Sequence, residues 1–251
     1  KTNAEITKKI IKKIKDKSKK QIEDQMPFSI ALGTATKEKK KKKINSMVKI
    51  AENNMLQDKL SASRSSKNNI VQGLLNTLSA KSSETKEHAV RMTKLAFDFG
   101  ERVGLSNSEL NKLSLLATLH DIGKSTISED ILNKAGKLDD KEWQLIKSHP
   151  EKGHKIASAS EEFAIIADEI LAHHEKWDGR GYPNSLKGEN IPYLARIITL
   201  VDSYDVMTND RPYSKAISKA EALKEIKRCA GSQFDPELAK VFIEMMKEKE
   251  L

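Results

Sequence analysis

Apolar residues recur at three- and four-residue steps along most of this chain, the period of helices that bury one face. Ile6, Ile10 and Ile14 set the first stripe, and residues 4–20 read as a helix. PFSIALGTA (Pro27 to Ala35) is the one stretch that reads as a strand, an apolar run broken by glycine. From Lys40 the helical period returns with Ile44, Val48, Ala51 and Met55. SASRSSKNN (Ser61 to Asn69) is polar, either a break or a solvated stretch of helix, and Ile70, Val71, Leu74, Leu75 and Leu78 then form another face. A long helix over 40–80 with few partners of its own either pairs with a second copy or packs within the chain.

Beyond Ser82 no strand is suggested. Helices are predicted at about 83–104, 107–122, 139–147, 150–159, 161–176, 190–208, 218–230 and 235–248. Ser106 and Glu109 make a Ser-x-x-Glu capping box, and Pro150, Pro192 and Pro236 fall near helix starts, where a missing amide costs little. The fold class is mainly α: a small α/β segment over residues 1–65, a connecting helix over 66–81, and an all-helical bundle over 82–251.

Charge divides the chain in the same place. Residues 1–80 hold 19 Lys and Arg against 7 Asp and Glu, whereas residues 81–251 hold 26 against 29. The basic run KEKKKKK (Lys37 to Lys43) has no aromatic platform or arginine cluster, so a solvated helix start is favoured over contact with nucleic acid or lipid. No apolar run is long enough to span a membrane, and KTNAEITKKI lacks a signal peptide's apolar centre, which reads as a cut within a longer protein. The single cysteine, Cys229, allows no internal disulfide and fits a reducing cytoplasm.

The chemistry emerges where the apolar stripes end. Phe99, Leu95 and Met92 step back to His88 and then to Glu84, while Leu110, Leu113 and Ala117 lead forward to His120 and Lys124, with Asp121 following directly and Gly123 marking a helix end. Ile166 and Ile170 lead to His173, Ala167 and Leu171 approach His174, and Ala195 and Ile198 lead to Asp202. His149 opens a Ser-His-Pro break between two helices. Five of the six histidines thus point at one interior; His154 does not and reads as structural or surface.

Burying that many imidazoles and carboxylates together would be costly unless divalent cations neutralise them. Imidazole and carboxylate without thiolate suits Fe, Mn, Ni, Co or catalytic Zn, and so many ligands imply at least two ions, with Asp121 as the natural bridge. Two close ions can activate water at neutral pH and clamp a phosphoryl group, and Lys124 could neutralise the phosphate or protonate the leaving oxygen.

HDIGK (His120 to Lys124) and HHEKWDGRGYP (His173 to Pro183) together resemble the HD-GYP family of bacterial phosphodiesterases, a branch of the HD-domain superfamily. The resemblance runs from about Ser82 to Met246 and takes in ILNKAGKLDDKEW (Ile131 to Trp143), SHPEKG (Ser148 to Gly153) and VDSYDVMTNDRPY (Val201 to Tyr213). It implies hydrolysis of cyclic di-GMP to linear pGpG and in some members onward to GMP. It implies metal ligands at His88, His120, Asp121, His149, His173, His174 and Asp202, a third metal supported by Glu84, and iron or manganese as the metal. It further implies a phosphate-side role for Lys124 and a substrate-side role for Arg211 beside Tyr213. Ser214 departs from the basic residue common in the family at that position, which bears on substrate preference. Tyr182 and Pro183 could shape the substrate mouth, serve a partner surface, or brace the turn made by Gly179 and Gly181.

Residues 1–70 resemble more faintly the C-terminal third of a GGDEF diguanylate cyclase-like domain: a helix, PFSIALGTA, then Ala51-Glu-Asn-Asn-Met55-Leu56 where that family carries A-D-x-x-M-Y. The loss of the Asp and Tyr marks a degenerate scaffold or input module without cyclase activity. Expected partners are cyclic di-GMP, a second copy of the chain through the 40–80 helix, and a GGDEF-domain protein, with no nucleic acid. The competing functional readings are a cyclic dinucleotide receptor with little turnover and a phosphodiesterase for another cyclic dinucleotide.

Overall fold

The computed structural model describes residues 4–20, 32, 34, 35, 47–52, 55, 71, 73, 74, 76, 86–134, 136–210 and 215–249. The chain divides into two compact units, Lys1–Ile70 and Val71–Leu251.

In the first unit, helix α1 (Ala4–Lys20) carries Ile6, Ile10 and Ile14 on one face, and all three are exposed. Residues 47–52 are helical, with Val48 and Ile50 exposed. Of the predicted strand, Leu32, Thr34 and Ala35 are described and belong to no regular element; the rest lies outside the described residues.

The second unit is helical throughout its described length. After a helical stretch that includes Val71 and Leu74 come α2 (Lys86–Arg102), α3 (Asn107–Leu119), a 3-10 turn at Ile122–Thr126, α4 (Glu129–Leu132), α5 (Asp140–Lys147) and α6 (His149–Ser158). A 3-10 turn at Ala164–Ile166 leads into α7 (Ala167–Ala172); α8 (Tyr193–Thr208), α9 (Lys219–Cys229) and α10 (Pro236–Glu248) complete the unit. Among the described residues of this unit there is no strand, as the sequence predicts beyond Ser82, and the isolated bridge Ala230–Phe234 merely closes a turn.

Helix α8 is apolar nearly all round, the signature of a helix enclosed by others. Its Ala195, Ile197, Ile198, Leu200 and Val201 are fully buried, with α2, α9 and α10 packed around it. Phe242 of α10 meets Phe99 of α2 and Tyr204 of α8 edge-on, at ring-centroid distances of 5.0 and 5.3 Å. Val71 and Leu74 pack against the same core, so this part of the predicted connecting helix spends its apolar face within its own unit. Capping boxes start α3 (Ser106 with Glu109), α5 (Asp139 with Glu142) and α9 (Ser218 with Glu221).

Two predicted boundaries shift for physical reasons. Helix α3 stops at Leu119 rather than near 122, and Gly123 is not its terminator. A Cβ on Gly123 would run into the carbonyl of His149 and the amide nitrogen of Gly153, so glycine is needed there for the 3-10 turn to lie directly on α6. The helix predicted over 161–176 is shorter, beginning as a 3-10 turn and ending at Ala172, which leaves both following histidines just beyond the helix end.

Candidate metal centre

The ends of these helices deliver the polar residues. His88 lies in the first turn of α2, His120 caps α3, His149 starts α6, His173 caps α7, and Asp202 faces inward from α8. The ligand atoms form two sets, each within 4.8 Å: Asp121, His149, His173 and His174 in one, and His88, His120 and Asp202 in the other. Asp121 joins them. Its Oδ1 is 3.0 Å from His149 Nε2 and 3.7 Å from His173 Nε2, while its Oδ2 is 3.2 Å from His120 Nε2 and 2.8 Å from Lys124 Nζ.

The hydrogen bonds fix the tautomers. The Nδ1–H of His120, His149 and His173 donates to the carbonyls of Ala117, Ile146 and Ile170, each three residues earlier, at 3.0, 2.7 and 2.6 Å. These carbonyls belong to the last turns of α3, α5 and α7, where the helix supplies no amide partner. A carbonyl can only accept, so each Nδ1 holds a proton, and the tautomer this selects presents its lone pair at Nε2. The Nε2 atoms of His149 and His173 then face each other at 3.1 Å, both directed at the Asp121 carboxylate.

Burial pushes the His173 imidazole down to about 4, with Asp121 opposing, and burial likewise pushes His174 well below the usual imidazole range, so both rings are neutral near pH 7. Burial would raise the Asp121 carboxyl, but the Lys124 ammonium, 2.8 Å away, holds it well below the usual range. Converging lone pairs and carboxylate oxygens repel one another and attract a cation. The donor set therefore fits divalent metal, and the negative ends of three helices add to that preference.

The structure also brings in residues that the sequence does not single out. Asp205, one turn beyond Asp202, accepts at 2.7 Å from His88 Nδ1 and is gripped by Arg91 through Nε and Nη2, at 2.7 and 2.9 Å. Burial opposes its charge, but His88 and Arg91 hold its carboxyl down to about 2. It orients His88 as backbone carbonyls orient His120, His149 and His173. Asp205→Asn is therefore expected to weaken metal affinity by roughly 10–100-fold while leaving the fold intact, which metal titration of the chelator-stripped variant will measure.

Glu175 is the other addition. Only 1% exposed, it accepts from the backbone amides of Asn184 and Leu186 at 2.7 and 3.1 Å, and so ties the loop of the GYP letters back onto the histidine pair. A Cβ on Gly181 would strike the backbone of Glu175 and Lys176, which explains that glycine, while Gly179 has φ +84°. Tyr182 thereby stacks on His174 with ring centroids 4.9 Å apart, and Lys147 Nζ lies 5.5 Å from its ring. Thr199 Oγ1 donates to the His173 carbonyl at 2.7 Å. His154 lies outside both ligand sets, 3.4 Å from Asp168, as its reading as a structural or surface residue implies. Glu84, Arg211, Tyr213 and Ser214 lie outside the described residues.

A family model described as an HD domain matches residues 72–238. The chain belongs to the HD-domain family. HDIGK and HHEKWDGRGYP place it in the HD-GYP branch of that family, as the sequence resemblance implies. It is 36% identical over 183 residues to the 3'3'-cGAMP-specific phosphodiesterase 2 of Vibrio cholerae, covering 72% of this chain and 35% of that protein. It is 36% identical over 178 residues to the cyclic di-GMP phosphodiesterase of Thermotoga maritima, covering 70% of this chain and 48% of that protein. The chain therefore spans less than half the length of either relative. A solved cyclic GMP-AMP-specific phosphodiesterase of V. cholerae has the same HD-domain fold, with a TM-score of 0.55 at 25% identity over 72% of this chain and 49% of that chain. The HD domain of PgpH from L. monocytogenes, solved with cyclic-di-AMP, shares the fold at 17% identity, with a TM-score of 0.53 over 71% of this chain and 95% of that one.

Proposed function

We propose that this HD domain hydrolyses cyclic di-GMP to linear pGpG, with GMP as a further product. The observation that carries this reading is the division of the imidazole lone pairs and carboxylates into two sets that share Asp121. Such a pair of sites suits two divalent ions, for which the family resemblance implies iron or manganese; a third would draw on Glu84. Bound there, the ions supply the Lewis acidity that activates water and stabilises charge on a phosphoryl group. Asp121 holds the two positions at a fixed separation. Lys124, within reach of Asp121, neutralises a phosphate oxygen or protonates the leaving oxygen. Tyr182, fixed over His174, walls the substrate mouth, and Arg211 and Tyr213 contact the substrate. The names of the relatives support a cyclic dinucleotide as substrate.

Incubating anaerobically purified, metal-analysed protein with cyclic di-GMP and 3'3'-cGAMP, followed by product chromatography, tests this. Release of pGpG supports it. Tight binding without product would replace it with a receptor, and faster turnover of 3'3'-cGAMP would reassign the substrate. Chelation is expected to abolish turnover, with manganese restoring it. It is also expected to lower stability by about 3 kcal/mol at metal concentrations near a hundred times Kd, which thermal melts with and without metal will read.

The exposed Val48, Ile50 and Met55 support a homodimer through the helix predicted over 40–80, and the GGDEF resemblance of residues 1–70 supports a GGDEF-domain protein as a further partner. A cytoplasmic location is supported by one cysteine, with no disulfide to form; among the described residues no helix is long and apolar enough to cross a membrane.

A further inference from the structure

Beside the metal centre lies a cavity of about 350 Å³, within the ~300–1,000 Å³ typical of small-molecule sites. Its walls include ligand residues of both sets, His173, His174 and Asp202, so a molecule held in it would touch the centre. Three acidic side chains line it. Asp202 belongs to a ligand set, and Glu175 is committed to the loop amides. Glu225 of α9 serves neither purpose. Around it, Met207, Phe234 and Val206 contribute apolar surface, and Ser203 and Gln233 contribute hydrogen-bonding groups.

The state of Glu225 is well defined. Arg228 grips it through Nε and Nη2 at 2.7 and 2.5 Å, and Cys229 Sγ approaches its Oε1 at 3.5 Å. The ion pair with Arg228 holds its carboxyl down to about 2, so at neutral pH it only accepts hydrogen bonds. Arg228 is largely exposed and its pair with Glu225 spans one helical turn, an arrangement that contributes little to stability, so a ligand edge with two donors can displace Arg228 from the two oxygens it now occupies.

We propose that this cavity is a base subsite and that Glu225 makes it select guanine over adenine. Guanine carries two adjacent donors, N1–H and the 2-amino group, which match the two oxygens of a carboxylate. Adenine offers an acceptor at N1, whose lone pair would face the same oxygens and repel them. Apolar atoms of Met207 and Phe234 cover the flat faces of a purine, and Gln233 Nε2, now 3.3 Å from Ser203 Oγ, is a donor for O6 or N7. Placement of the phosphate at the centre rests on the phosphodiesterase reading. Glu225 adds which base lies beside that phosphate.

The test compares wild type, Glu225→Gln and Arg228→Ala in equilibrium binding and in kcat/KM, with cyclic di-GMP, 3'3'-cGAMP and cyclic di-AMP as ligands. Glutamine keeps the size but turns one acceptor into a donor, so E225Q is expected to reduce the preference for cyclic di-GMP over cyclic di-AMP by roughly tenfold or more, the scale of one charge-assisted hydrogen bond pair. 3'3'-cGAMP should fall between them. Metal content and thermal midpoint of E225Q should match wild type. R228A breaks the surface ion pair but keeps the carboxylate, and it should keep the guanine preference. An unchanged preference in E225Q, or an equal loss in R228A, overturns the subsite. A wild-type protein that cleaves none of the three overturns the phosphodiesterase reading instead, and the binding preferences of the two variants still decide whether Glu225 reads guanine.

Discussion

Asp121→Asn is expected to lower metal-dependent hydrolysis of cyclic di-GMP by roughly a thousandfold or more, and to do so in a protein that still folds. The two oxygens of Asp121 face different ligand sets, Oδ1 toward His149 and His173 and Oδ2 toward His120. An amide preserves the shape but puts an NH2 where an acceptor stood, so it cannot hold two cations. In the metal-free protein the same NH2 would donate to an imidazole lone pair and remove a buried charge from the cluster. Metal-free D121N should therefore melt at or above metal-free wild type, while elemental analysis finds it depleted of metal. If D121N retained both full metal content and turnover, the assignment of Asp121 as the shared ligand would fail.

The second large effect is on stability. Gly123→Ala places a methyl group against the His149 carbonyl and the Gly153 amide, both of them backbone atoms that no rotamer change can move aside. The 3-10 turn must then lift from α6, at a cost of about 3 kcal/mol or more, seen as a fall of roughly 6–12 °C in thermal midpoint. Because His149 is the residue displaced, metal affinity should fall with it. Gly73→Ala serves as the control: it is helical, nothing lies within 4 Å of its added Cβ, and the change should be neutral or stabilising by up to about 1 kcal/mol. Equal melting of the two variants would remove close backbone approach as the reason for Gly123.

The contrast between these two positions marks what a sequence can convey. Helical stripes that end in histidine are legible because a 3.6-residue period carries direction: once Ile166 and Ile170 are inside, His173 is too. Gly123 is misread as a terminator because glycine has the same letter whether it ends a helix or admits a neighbouring backbone. Asp202 and Asp205 sit one turn apart on α8, and no local rule tells which joins the ligand set and which grips the far nitrogen of His88. That choice depends on how α2 docks on α8. Glu175 escapes notice for a different reason: its partners are main-chain amides, which every residue possesses and no motif displays. The loop around Tyr182 is consequently placed by a residue in the middle of the motif rather than by the letters at its end.

The three imidazoles that bond carbonyls three residues earlier have a consequence for how the centre assembles. His120, His149 and His173 each take their orientation from their own turn of chain, so they are set as soon as those short segments form. His88 takes its orientation from Asp205, 117 residues away. The aim of these three rings is thus decided locally, although their set still forms only when the segments around 121, 149 and 173 pack together, whereas the aim of His88 is itself decided by a distant part of the domain. The aim of His88 is therefore the part of the centre that reports whether α2 and α8 have docked.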